Sequence, residues 1–413
     1  MTGNAIAVRL DGGRILAGSV VVGAVSACVY LAVSAIFAGG THLFDAGRPD
    51  FFYLADALLH GRLWLEHARG PNDGVGDGAR GYVPFAPFPA LLLVPLVAAV
   101  GPSLAASWEP VVNAVLAGLG VGVCWILAAE LGVTRTSHRL WIVVLFGFST
   151  ATWWVTTRGG VWHTGQLVAS ACTLLALVES FGRRRPFLIG LLAGAAFLTR
   201  APLLFALPFY AWAVLPGPGH PDWEGGRHPS PLRPWTILAL GFAPAFVASL
   251  AYNALRFGSP LESGYALATL PAFLELQRAK GLFSLAHLPM NVDYFLLRLP
   301  AFTSTFPFLH PDGYGMSVLL TSPGLLLAVR ADWRRARPWA LLATTGLVLV
   351  PSLLYYGGGW LQFGYRYFLD SVPFVIALCA LAAARVGVGW AWRAAILFGV
   401  GVNLLGVYWV YHL

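Results

Sequence analysis

ILAGSVVVGAVSACVYLAVSAIFA, residues 15–38, runs from end to end without a charged side chain. As a helix rising 1.5 Å per residue it covers the roughly 30 Å hydrocarbon core of a bilayer. Its successors are 109–132, 140–156, 164–182, 187–199, 201–215, 235–252, 314–329, 339–356, 370–385 and 393–412, each an apolar run. In lipid every backbone N–H and C=O must be satisfied within the protein, and helices do this segment by segment. The expected fold is therefore all-α: a polytopic transmembrane helical bundle of about eleven spans, with residues 1–413 forming a single transmembrane domain.

Composition agrees. The 413 residues are 58% hydrophobic and 11% charged, where a soluble domain is nearer half apolar and a quarter charged. The spans use up most of the length, so no large soluble domain fits. The net charge of +8 lies largely in short clusters between apolar runs: Arg135–Arg139, Arg183–Arg185, Arg330–Arg337 and Arg385–Arg393. That is the positive-inside pattern of cytoplasmic loops, not a nucleic-acid surface. Cys28, Cys124, Cys172 and Cys379 fall within apolar runs without metal-ligand spacing and read as small buried hydrophobes. The first run lacks a small-residue cleavage site after a short core and is expected to remain as the first span. There is no phosphate loop with a lysine, no nucleophile elbow and no HExxH zinc motif, so nucleotide-driven chemistry on a soluble fold has no support. No internal repeat is visible, which weighs against inverted-repeat transporter folds.

Residues 39–87, an acidic loop after the first span, hold six of the 18 acidic residues: Asp45, Asp50, Asp56, Glu66, Asp73 and Asp77. Within it, Phe51–Leu65 places apolar residues at helical spacing and predicts an amphipathic helix on the membrane surface. If this loop is outside and Arg135–Arg139 inside, an odd number of crossings must separate them. The short apolar stretch 88–104 is therefore expected to be a re-entrant or interfacial helix. The rest then alternates, with the N-terminus inside and the C-terminus outside. Residues 157–163, 253–312 and 355–368 lie outside with the first loop. In 253–312 the phrases LEL, LFSLAHLPMNV and YFLLRLPAF read as short interfacial helices.

Candidate chemistry gathers on that outer side. Asp45 and Asp50 flank the end of the first span and suit a general base at the water–lipid boundary. Asp50 equally suits a helix N-cap before FFYLADALL, and Asp45 a solvated loop charge. Asp73 and Asp77 sit in PNDGVGDGARG, which lacks the further ligands and closing Glu of a calcium loop and also reads as a flexible turn. Arg158 and His163, in TTRGGVWHTGQ, could bind phosphate or carry a proton, or act as interfacial amphiphiles beside Trp162. Arg200 interrupts apolar sequence in FLTRAPLLF; a charge there calls for a lipid phosphate or a carboxylate on a neighbouring helix. Arg256, Glu262 and Tyr265 lie in NALRFGSPLESGYAL, and Tyr365, Arg366, Tyr367 and Asp370 in QFGYRYFLD. Arginines on the outer side run against the positive-inside trend, and an anionic partner is one reason for them. The aromatics suit stacking on sugar rings or an interfacial belt.

Four phrases in order make the chain resemble the integral-membrane C-type glycosyltransferase superfamily, which includes dolichyl-phosphate-mannose protein mannosyltransferase-like and aminoarabinose-transferase-like proteins. YLADALLHGRLWL is similar to that family's first-loop helix, YVPFAPFPALLLVPL to its Pro-rich entry to the next apolar segment, GLLAGAAFLTRAPLLFALP to its G-x-A-F-x-T-[KR]-x-P phrase, and GYRYFLDSVPFVIAL to its late R-Y-x-x-x-x-x-P phrase. The resemblance implies a polyprenyl-phosphate-linked sugar donor and transfer with inversion to a hydroxyl of a lipid, glycan or protein acceptor. The active site would face outward from a bacterial cytoplasmic membrane. A first-loop acid would deprotonate the acceptor, and basic residues would hold the lipid phosphate. Many members carry adjacent acids there; here Asp45 and Asp50 are five apart. Asp50 is ranked first as base, Asp45 second and Asp73 third. The separation also argues against a tightly bound metal, although some relatives use a divalent ion. No other cofactor is expected. Other readings are a transporter or flippase of lipid-linked sugars, or a polysaccharide ligase or polymerase.

Overall fold

The computed structural model describes residues 3–39, 47–66, 74–76, 80–215, 230 and 232–412. The chain opens with α1 (Gly3–Phe37) and α2 (Asp50–Leu59). A two-residue antiparallel pairing of Val75–Gly76 with Gly81–Tyr82 precedes α3 (Phe88–Val100) and α4 (Pro102–Ser107). There follow α5 (Glu109–Glu130), α6 (Thr136–Phe148), α7 (Thr152–Thr157), α8 (Val161–Phe181) and α9 (Pro186–Phe197). A 3-10 segment, Ala201–Ala206, leads into α10 (Leu207–Ala213), and then come α11 (Leu232–Phe257), α12 (Ala272–Arg278), α13 (Leu288–Val292) and α14 (Val318–Thr321). A second 3-10 segment, Pro323–Arg330, and α15 (Ala336–Leu354) lead to a 3-10 turn at Arg366–Asp370, α16 (Val372–Val386) and α17 (Trp390–His412).

Among the described residues six helices are long and apolar enough to cross a bilayer: α5, α8, α11, α15, α17 and Gly12–Phe37 of α1. They mark the chain as a membrane protein. Five apolar segments are shorter: α3, α6, α9, Ala201–Ala213 and α16. The main core joins α5, α6, α8 and α16 through buried Leu127, Ile142, Phe146, Leu174, Phe374 and Leu378. With lipid as the surrounding solvent, close backbone approach does much of the holding. A Cβ at Gly118 of α5 would strike the Gly23 carbonyl of α1, and one at Gly122 the Ser19 carbonyl. A second seam joins α9 and α11: a Cβ at Gly190 would strike the Leu238 carbonyl, and one at Gly241 the Phe187 carbonyl.

Several expectations are corrected. The surface helix predicted to reach Leu65 ends at Leu59, because Gly61 turns the chain at φ +67°. Its apolar face, with Phe51, Phe52, Leu54 and Ala55, packs on Ala90, Leu93 and Val97 of α3 and Ala105 of α4. The stretch 88–104 is divided at Gly101, with φ +82°. The expected span 314–329 is not one helix; α14 stops before Pro323 and the chain continues as a 3-10 segment. Pro has no N–H to donate, which favours such a break. In 253–312, α12 and α13 are short helices as read, but YFLLRLPAF leaves helical geometry at Arg298. Its Ala301–Phe302 pairs with Leu309–His310 in a hairpin. Arg298 ties this segment together by pairing with both Asp293 and Asp312. Cys124, Cys172 and Cys379 are buried, whereas Cys28 is exposed on α1.

The arginine clusters gather at one end of the bundle. Arg385 donates to the carbonyls of Arg330 and Ala331, and His138 of α6 lies within electrostatic reach of Arg393. The opposite helix ends enclose the site.

Candidate functional site

A cavity of about 920 Å³ opens where the C-terminal ends of α11, α15 and α17 meet the start of α8, the Pro84–Pro87 segment and residues 199–205. Arg48, Arg158, His163, Arg200, Arg256 and Arg366 all line it. Among the described residues no carboxylate does. Trp162, Tyr265, Tyr355 and Tyr367 supply an aromatic wall, and Phe197, Phe205, Phe246 and Leu250 an apolar side between α9 and α11.

The arginines differ in how their charge is met. Arg200 follows α9, and its Nε donates to both oxygens of Asp370, at 2.6 and 2.7 Å. Asp370 is 2% exposed, so this is a buried ion pair rather than a surface one. Arg256 stacks 3.6 Å from the Tyr252 ring centroid and donates to the Tyr252 and Val83 carbonyls and to Asn253 Oδ1. Arg48 donates to Asp50 Oδ2 at 2.9 Å and lies over Trp162.

Arg158 and Arg366 have no carboxylate partner among the described residues. Arg366 is buried, its guanidinium lies 5.6 Å from Trp162 and 5.3 Å from Tyr367, and its Nε has no hydrogen-bond partner. Two buried glutamines hold its backbone: Gln166 Nε2 donates to its carbonyl at 2.8 Å, and its N–H donates to Gln362 Oε1 at 3.2 Å. Arg158 caps α7 and is exposed toward the cavity. Guanidinium groups without a carboxylate partner among the described residues, one of them buried, give this concave site a positive character.

His163 stands between them at the start of α8. Its Nδ1 lies 3.0 Å from the Arg158 carbonyl, and its ring meets Trp154 edge-on at 5.6 Å. A carbonyl can only accept, so Nδ1 carries the hydrogen.

The candidate acids fall differently. Asp50 is the first residue of α2, with Pro49 in the N-cap position and no side-chain cap, so the N-cap reading is corrected. It is 1% exposed and held by Arg48 rather than facing the cavity. Asp45, Asp73 and Asp77 lie outside the described residues. Glu262 does not line the cavity; its Oε1 accepts from the Gly264 N–H at 2.6 Å. Tyr365 is also behind the wall, where burial pushes its hydroxyl well above the ordinary range and its O–H donates to the Ser352 carbonyl at 3.2 Å.

Sequence reading missed Glu109. It is fully buried at the start of α5, receives the Thr164 hydroxyl at 2.8 Å and is close enough to Asp50 to feel its charge. A Cβ at Gly159 would strike its carboxyl, so Glu109 packs directly under the turn that carries Arg158 and His163. Asn113, one turn along, meets the same Thr164 hydroxyl at 2.9 Å. The available signal was the Glu109/Asn113 spacing of four, which puts two polar groups on one face of an otherwise apolar helix. Among the described residues no three His, Cys, Asp or Glu side chains are grouped to hold a metal ion. No family model, curated protein or solved structure matches this chain.

Proposed function

We propose that this protein is a membrane glycosyltransferase that moves a sugar from a polyprenyl-phosphate donor to an acceptor hydroxyl, with inversion. In this reading about eleven segments cross the membrane, the arginine clusters face the cytoplasm by the positive-inside rule, and the cavity opens at the outer face of a bacterial cytoplasmic membrane. The observation that carries it is the set of three guanidinium groups, Arg158, Arg256 and Arg366, that have no carboxylate partner among the described residues, in a cavity that also has an apolar side and an aromatic wall. An amphiphile with an anionic head, a sugar and a hydrocarbon tail matches those three surfaces. None of the residues in the four arginine clusters lines the cavity, which favours an enzyme open to one side over a conduit.

The charge count also suits transfer. A sugar-lipid phosphodiester carries one negative charge, and the departing lipid phosphate approaches two. A cluster of positive charges therefore stabilises the leaving group more than the donor, and that difference lowers the barrier. The tyrosines offer faces for the sugar, and the Arg48–Asp50 pair fixes the cavity's edge. The acceptor is a lipid, glycan or protein hydroxyl.

The test is binding to the purified protein in nanodiscs. Farnesyl phosphate should bind at least tenfold more tightly than its monomethyl ester, which has one charge fewer. Arg366→Met should weaken farnesyl phosphate about 10- to 100-fold, the range for a hydrogen bond to a charged group. Equal binding of ester and phosphate, or no loss in the variant, would sink the assignment.

A further inference from the structure

The geometry points to His163 as a group that takes the acceptor's proton. The inference rests on the transferase reading above and deepens it. Sugar transfer to a hydroxyl needs a proton acceptor at the cavity surface, within hydrogen-bond reach of the attacking oxygen. Among the described residues the cavity presents no Asp or Glu. Asp50 is 1% exposed and spends one oxygen on Arg48. Glu109 is buried beneath Gly159, behind the cavity wall.

His163 does line the cavity, and its tautomer is set by its neighbours. Nδ1–H donates to the Arg158 carbonyl, which leaves Nε2 as the lone-pair nitrogen of the neutral ring. The Gly159 carbonyl also lies beside the ring. The ring cannot swing freely: its Nδ1 is anchored by the backbone and it packs in a T-shaped contact with Trp154. The charged groups around it are Arg158 on its own turn, Arg366 from the 3-10 turn before α16, and Glu109 from α5 under Gly159 and Gly160. The two arginines that would hold the phosphate lie within electrostatic reach of the ring. Inversion places the acceptor oxygen and Nε2 across the anomeric carbon from that phosphate.

The step balances without a further reactant. The acceptor oxygen bonds to the sugar's anomeric carbon as its proton passes to Nε2. The bond from that carbon to the phosphate oxygen breaks, and its electron pair stays on the phosphate. The imidazolium then returns its proton to the departing lipid phosphate or to water.

The experiment uses the full chain in nanodiscs with polyprenyl-phosphate mannose, glucose and arabinose as donors, following release of polyprenyl phosphate by transfer or hydrolysis, and farnesyl phosphate as the binding probe. His163→Gln should bind farnesyl phosphate within about threefold of the parent, which also shows that it folds, while turnover falls at least 100-fold. The parent's turnover should rise with pH through a single ionisation that is lost in the variant. Turnover within threefold of the parent overturns the assignment. So does a loss of farnesyl phosphate binding that accounts for the whole effect, because His163 would then be a phosphate ligand. Asp50→Asn reproducing the loss while His163→Gln does not would return the role to the first-loop acid. Nitrogen-15 spectra of the histidine ring read the same claim without turnover: Nε2 should be unprotonated at pH 7.5, and a hydrogen found there overturns it. Failure of the unmodified protein to bind farnesyl phosphate would instead remove the transferase reading itself.

Discussion

Arg200 and Arg366 face the same cavity, and both stack against Tyr367, yet they have opposite electrostatic settings. Arg200 is locked to a buried carboxylate 170 positions away in the chain. Arg366 is held by its backbone through Gln166 and Gln362, and among the described residues its guanidinium meets no carboxylate. In the sequence both are arginines in apolar surroundings. What separates them is Asp370, which turns one into a structural tie, while the other has no carboxylate partner among the described residues.

That contrast can be broken by substitution. Asp370→Asn should be the most damaging change, because it strands the Arg200 cation where its partner was; a loss of about 3–5 kcal/mol is expected for breaking a buried pair from one side. Thermal denaturation in detergent would read it, and a loss below about 1 kcal/mol would make the pair ornamental. Arg366→Met should behave oppositely. Removing an uncompensated buried cation should change stability by no more than about 1 kcal/mol in either direction, while phosphate affinity falls as stated above. Equal destabilisation by both substitutions would erase the distinction. At the far end of the bundle, Arg335→Gln breaks an exposed pair with Asp332 at 3.1 Å and should cost about 0.5 kcal/mol or less with no effect on ligand binding.

The arginines were legible because charge is conspicuous against apolar sequence and expensive in lipid. Their fates were not, because a partner 170 positions distant is set by packing rather than spacing. Helix existence followed from the apolar runs. Where helices stop depended on single residues such as Gly61, Gly101 and Pro323, whose effect periodicity does not weigh. Glu109 was hidden for a different reason. Sitting at the start of a long apolar run, it read as punctuation between loop and span. The structure places it inside, under the turn that carries two site residues. Asp50 shows the reverse: its place in an acidic loop drew attention to chemistry, but its side chain is turned inward to Arg48.

The glycine seam between α9 and α11 has a mechanical consequence. Backbone contact at Gly190 and Gly241 leaves no slack, so the lower part of α11 cannot slide on its neighbour. Three residues beyond Gly241, Pro244 removes one rung of the helix's own ladder. From there upward, Phe246 and Leu250 border the cavity, and Val247 is exposed. The contact nevertheless continues beyond Pro244, where Ala245 meets Gly194 and Phe246 packs on Phe197, so α9 and the cavity-facing part of α11 form one fixed wall.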